Sequence, residues 1–155
     1  MVDKTLVSAD SLSKIRELLQ AVSNEKGGIH LALLAQSPDL LDRWSFVISA
    51  PWIEAEGPRA SVAYLSSKLR HYLNKDALSA IDRISALRSD HRLVTTILHF
   101  LGLEVSLEND PHPIRDFVVE DVRFPMAFIF IADPHPGWRK TAGHASSNRR
   151  AVVRQ

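Results

Sequence analysis

The sequence predicts a mixed α/β fold, or its α+β variant: a central mixed sheet of about five strands flanked by helices, followed by a flexible C-terminal tail. Three observations carry this. Apolar residues recur at helical spacing in separate segments. Short runs rich in β-branched and aromatic residues lie between those segments. One run, Met126 to Ala132, is apolar throughout, as a strand covered on both faces requires.

The first helix is expected from Asp10 to Asn24, where Leu12, Ile15, Leu18, Leu19 and Val22 form one stripe. Ser8 or Asp10 can cap it, and Gly27-Gly28 can end it. Ile29 to Ala35 reads as a buried strand, and Ser37 to Asp42 as a capped turn or a single helical turn. Trp44 to Ala50 reads as a second strand, stopped by Pro51. The link between these strands is too short for a crossover helix, so they should pair antiparallel.

Glu56-Gly57-Pro58 is a break. A helix follows from Arg59 to Leu73, with Val62, Leu65, Leu69, Tyr72 and Leu73 inward and Arg59, Ser66, Ser67, Arg70 and Asn74 outward. A short helical piece is expected over Asp76 to Ile81, and a third strand over Arg83 to Leu87. Asp90 can cap a helix carrying Leu93, Val94, Ile97, Leu98 and Leu101, closed by Gly102. Leu103 to Leu107 alternates as a strand does. Phe117 to Val122 and Met126 to Ala132 are further strands, and Pro125 between them calls for an edge, a bulge or a turn.

At 155 residues the chain is long enough for residues 1–136 to form one globular α/β domain with its own core. Absence of cysteine excludes disulfides, thiolate catalysis and cysteine-ligated metals. The N-terminal residues show no secretory pattern, and no uncharged stretch reaches the roughly 20 residues of a membrane span. A cytoplasmic location with no membrane partner is therefore expected.

Charge is distributed unevenly. The formal net charge is +1, yet residues 1–133 hold 14 basic and 18 acidic side chains, and residues 134–155 carry five cations and no acid. Residues 57–102 are a basic stretch of the body, and residues 103–133 an acidic one. The small, polar, basic segment 137–155 cannot bury enough apolar surface to order itself and is expected to be disordered.

Signatures of chemistry are largely missing. The six glycines build neither a dinucleotide-binding nor a P-loop motif. There is no nucleophile elbow and no HExxH pair. Asp39 could open a nuclease-like carboxylate set, but Ser45 to Ser49 supplies neither the carboxylate nor the lysine such a set needs.

Three features remain. Asp110-Pro111-His112-Pro113 recurs as Asp133-Pro134-His135-Pro136; if the two loops met, Asp110, His112, Asp133 and His135 could ligate zinc or a similar ion and support a hydrolase. The competing reading is a pair of proline-stiffened turns. Trp52, Glu54 and Glu56 follow a strand end, where a ring could stack and two carboxylates could act as acid and base; the simpler reading gives Trp52 to the core and the glutamates to water. Finally, Trp138, Arg139, Lys140, Arg149 and Arg150 form a basic arm that, with Lys68 and Arg70 and with Lys75, Arg88 and Arg92, could neutralise phosphates while the tryptophan stacks on a base. The arm could instead dock on the acidic 103–133 face of its own or a neighbouring chain.

With no catalytic constellation, the first expectation is a non-enzymatic macromolecular interaction module without a cofactor, binding a protein partner or itself. Nucleic acid is the alternative and a metal-dependent hydrolase the third reading.

Overall fold

The computed structural model describes residues 8–40, 42–100, 102, 104–119 and 121–134. The tail over 137–155 lies outside them.

The order is α1 (Ala9–Lys26), β1 (Leu31–Gln36), β2 (Trp44–Ser49), α2 (Pro51–Glu56), α3 (Pro58–Tyr72), α4 (Lys75–Ala80), β3 (Ile81–Leu87), α5 (Arg92–Thr95), a π-helical turn over Thr96–Phe100, β4 (His112–Val119) and β5 (Val122–Ala132). The five strands form one mixed sheet in the order β3-β2-β1-β5-β4. This is the mixed α/β architecture the sequence predicts. β2 and β3 run parallel, joined through α2, α3 and α4, and the other three pairings are antiparallel. Among the described residues, no helix is long and apolar enough to cross a membrane.

The sheet separates two apolar layers. On one face, Ile15, Leu18, Leu19 and Val22 of α1, Ile53 of α2, Leu65 and Leu69 of α3 and Ala77 of α4 pack on Phe46, Ile48, Leu34 and Phe130. On the other, Leu93, Val94, Ile97 and Leu98 cover Leu31, Leu33, Val47, Ala127 and Ile129. The α1 stripe faces inward as its spacing requires, and the Ser8 hydroxyl accepts the Ser11 N–H at 3.1 Å as N-cap. Pro51 and Pro58 open α2 and α3, at positions where a missing N–H costs nothing. Gly57 joins them at φ 94° and ψ 155°, a conformation reserved for glycine.

The expected antiparallel pairing of the first two strands is present, from Leu31↔Ser49 to Gln36↔Trp44. Between them, Ser37 forms a capped turn, its hydroxyl accepting from the Asp39 and Leu40 N–H groups at 3.3 and 3.2 Å. β5 lies between β1 and β4, which makes the apolar run 126–132 an interior strand.

Three elements differ from expectation. Of the strand expected over Leu103 to Leu107, the described residues show only Val105 pairing, in a single bridge with Ala132, and Leu103 lies outside them. Val105 packs on one core layer and Leu107 on the other, which a two-residue repeat forbids, and a turn follows with Asn109 N–H bonded to Ser106 O. The helix expected to run on from Asp90 is α-helical only to Thr95 and then widens to the π turn.

Pro125 does not separate two strands. It lies inside β5, beyond Ala127, the last β5 residue paired with β1, so its missing N–H costs that ladder nothing. Opposite it in the β4 register, Asp116 is left-handed at φ 52°. Ile114 and Phe117, three residues apart, pack on the same core layer, as their partners Ala127 and Phe124 do, and the register between the strands is unbroken. The Phe117 and Phe124 rings stack at 5.0 Å beyond this point.

Candidate functional site

The end of the parallel β2–β3 pair, where open α/β sheets commonly hold ligands, is committed to architecture. Trp52 is buried and meets Tyr64 edge-on at 5.8 Å. Glu56 accepts from Lys26 Nζ at 2.8 Å, and that ammonium stands 4.7 Å from the Tyr64 ring centroid and 5.9 Å from that of Trp52. Glu54 accepts the Ser89 N–H at 2.6 Å, and the backbone and hydroxyl of Ser89 hold its carboxyl below the usual carboxylate range. Glu54 thus ties α2 to the loop after β3. The core reading of Trp52 is the one the packing supports.

A second network clasps α1 to α3. Glu25 accepts from Lys68 Nζ at 2.8 Å and from the Tyr64 hydroxyl. These two bonds, Lys68 first, lower the Glu25 pKa. Burial, together with the Glu25 bond, pushes the Tyr64 phenol up. His30 begins the β1 ladder: its N–H bonds to Ser49 O and its carbonyl accepts from Asp133, each at 2.8 Å.

The repeated Asp-Pro-His-Pro loops lie near one another, Asn109 beside Asp110 lining one hollow with Asp133. Asp110 is almost wholly exposed and lies 3.7 Å from Arg16. His112 is an exposed residue of β4 in register with Ile129, and Asp133 follows the end of β5. His135 lies outside the described residues. Among the described residues, no group of three or more His, Asp or Glu could hold a metal ion.

The described cations singled out for phosphate binding lie on α3, α4, α5 and the loop after β3. Lys68 is engaged with Glu25, and Arg88 with Asp90 at 3.1 Å. Arg70 reaches Ser66 Oγ at 2.7 Å along its own helix. Lys75 opens α4 and Arg92 opens α5. Trp138, Arg139, Lys140, Arg149 and Arg150 lie outside the described residues.

The sequence did not reveal the feature at the β3 border. β3 and β4 are the outer strands, and they are finished differently. β4 carries Pro113, left-handed Asp116 and the charges Arg115 and Asp116, devices that keep an edge from pairing. β3 has no proline. Its one irregularity, at Asp82 near its start, leaves Arg83 to Leu87 in continuous register with Ser45 to Ser49. No residue of β3 is fully buried, though Ile81, Ile84, Ala86 and Leu87 are apolar. Among the described residues, nothing hydrogen-bonds its outer edge.

Beside this edge a groove of about 290 Å³ opens between α3, α4 and β3, with Val62, Leu69, Leu78, Ile81 and Ile84 as its apolar lining and Arg70 and Arg83 among its polar residues. A wider hollow of about 590 Å³ lies between α1 and residues 105–108, but there Val105 already pairs with Ala132. The signal for the β3 groove was the outward Ser66 and Arg70 beside a third strand in the basic 57–102 stretch. Only the strand order shows that this strand is outermost.

No family model matches the chain, and no curated protein or solved structure matches it.

Proposed function

We propose that this chain is a non-enzymatic protein-interaction module that seats an extended segment of a partner on the outer edge of β3. The observation that carries the reading is the asymmetry of the two sheet edges. β4 is guarded by proline and a left-handed residue, whereas β3, though it also carries charges in Asp82 and Arg83, offers an open row of backbone groups over Arg83 to Leu87. An added strand would complete that row with main-chain hydrogen bonds, and the adjoining groove would select its side chains. The engagement of Glu54 and Glu56 in structural bonds favours binding over acid–base chemistry.

Amide exchange tests the proposal. A display library of short random segments is panned against the folded chain, and exchange is followed by mass spectrometry with and without an enriched segment. The expected result is slowed exchange over residues 81–87 and no change over 112–119. Enriched segments that leave 81–87 unchanged, or that protect β4 instead, refute it.

A further inference from the structure

We infer that the β3 groove selects an acidic, alternating segment: two apolar residues at positions i and i+2, flanked by carboxylates. This rests on the β3-edge reading and adds the chemistry of the occupant. In an added strand, residues i and i+2 face the same side. The groove, about 290 Å³ with Val62, Leu69, Leu78, Ile81 and Ile84 in its lining, is at the small end for ligand sites and takes about two aliphatic side chains.

The charges around it set the sign of the flanks. Arg70 and Arg83 are exposed groove residues, opposed there by Asp82 alone. Among the described residues, neither arginine has a carboxylate at ion-pair distance. Arg59 precedes Val62 by three residues on α3, which puts it on the groove side of that helix. Arg43, just before β2, reaches across to donate to Ser79 O at 2.9 Å, close to the start of β3. Of the other cations, Lys26 pairs with Glu56, Lys68 with Glu25, Arg88 with Asp90 and Arg123 with Asp116, while Lys75 and Arg115 show no ion pair among the described residues. Arg59, Arg70 and Arg83 thus leave a net positive charge beside the open edge, where carboxylates on an incoming strand find complementary potential.

The same charges argue against the other occupants. A second copy pairing edge to edge would bring its own Arg70 and Arg83 to the seam. A nucleic acid would meet an aliphatic floor with no aromatic ring in the groove lining to stack on.

The probes are two short acetylated fluorescent peptides that alternate valine and threonine, one flanked by glutamates and one by lysines. Binding to the full chain is read by anisotropy at low and high salt, together with amide exchange over 81–87. The glutamate peptide is expected to bind about tenfold more tightly at low salt, with the advantage shrinking as salt screens the rim. Arg70→Glu with Arg83→Glu should reverse the preference, and Arg70→Lys with Arg83→Lys should preserve it. Both arginines are exposed, and circular dichroism checks that the variants fold. Equal binding of both peptides with protection of 81–87 overturns the charge inference and leaves the edge reading standing. Protection by neither peptide, with enriched library segments also leaving 81–87 unchanged, overturns both. Self-association in sedimentation that is lost in the double-glutamate variant assigns the edge to a second copy and overturns the inference. Displacement of the glutamate peptide by a mixed-sequence single-stranded oligonucleotide does the same in favour of nucleic acid.

Discussion

Truncating Phe46 tests the packing that holds the open edge in place. Its side chain is fully buried. In the middle of β2 it stands opposite Leu34 of β1 on one side and Ile84 of β3 on the other, within the layer covered by α1 and α3. Phe46→Ala removes the whole ring from a region enclosed by sheet and helices, so the surroundings close over the void only partly. The lost transfer energy and the residual cavity together cost about 3–5 kcal/mol. Phe46→Leu keeps most of the volume and should cost about 1 kcal/mol. Against a total stability of about 5–15 kcal/mol, the alanine variant is severely weakened. At about 2–4 °C per kcal/mol for a chain of this length, its Tm falls by about 6–20 °C. Urea unfolding followed by far-UV circular dichroism gives the free energies, and an unchanged slope shows that the loss lies in the native packing. Because Ile84 loses its neighbour, amide exchange over 81–87 should accelerate in the same variant. A loss below about 1 kcal/mol for alanine, with the slope unchanged, refutes the reasoning.

Gly57→Ala should destabilise the chain by about 1–3 kcal/mol although a Cβ there meets no atom within 4 Å, because φ 94° with ψ 155° strains any residue but glycine; a neutral result in thermal unfolding removes the strain argument. Stability should fall in acid, because Glu25 and Glu54 have lowered pKa values in the fold: their contribution is complete above the ordinary carboxylate range and is lost as pH drops through the folded values. Glu25→Gln should flatten this acid limb in a pH series of urea midpoints, and an unaltered limb contradicts the assignment. Tyr64, raised in the fold, stabilises fully below the ordinary tyrosine pKa and loses that contribution as pH climbs beyond it, so Tyr64→Phe should blunt the alkaline decline.

Local periodicity made much of the fold legible. The α1 stripe, the antiparallel β1–β2 pair and the interior run 126–132 follow from side chains that repeat every 3.6 or every two residues against a core. Features that depend on distant partners were not legible. Pro125 reads as a break when its neighbours along the chain are the only context, and it is harmless once β5 has outrun β1. Leu103 to Leu107 alternates, but its last residue belongs to the opposite core layer. Val62, read as core, is only half-buried and lines the groove, because α3 overhangs the last strand of the sheet. The basic character of residues 57–102 was visible, whereas the pairing of Lys68 with Glu25 depends on where α1 passes.

The place of β5 between β1 and β4 has a consequence for how the chain is made. β1 ends at Gln36, but the strand that covers its second edge is not complete until Ala132. At ordinary synthesis rates the ribosome takes on the order of ten seconds to cross that interval. Throughout it, Leu31 to Gln36 can pair only with β2, and its other border stays open until β5 arrives. The nascent chain is thus vulnerable to aggregation at a strand that is almost wholly buried once folding is complete.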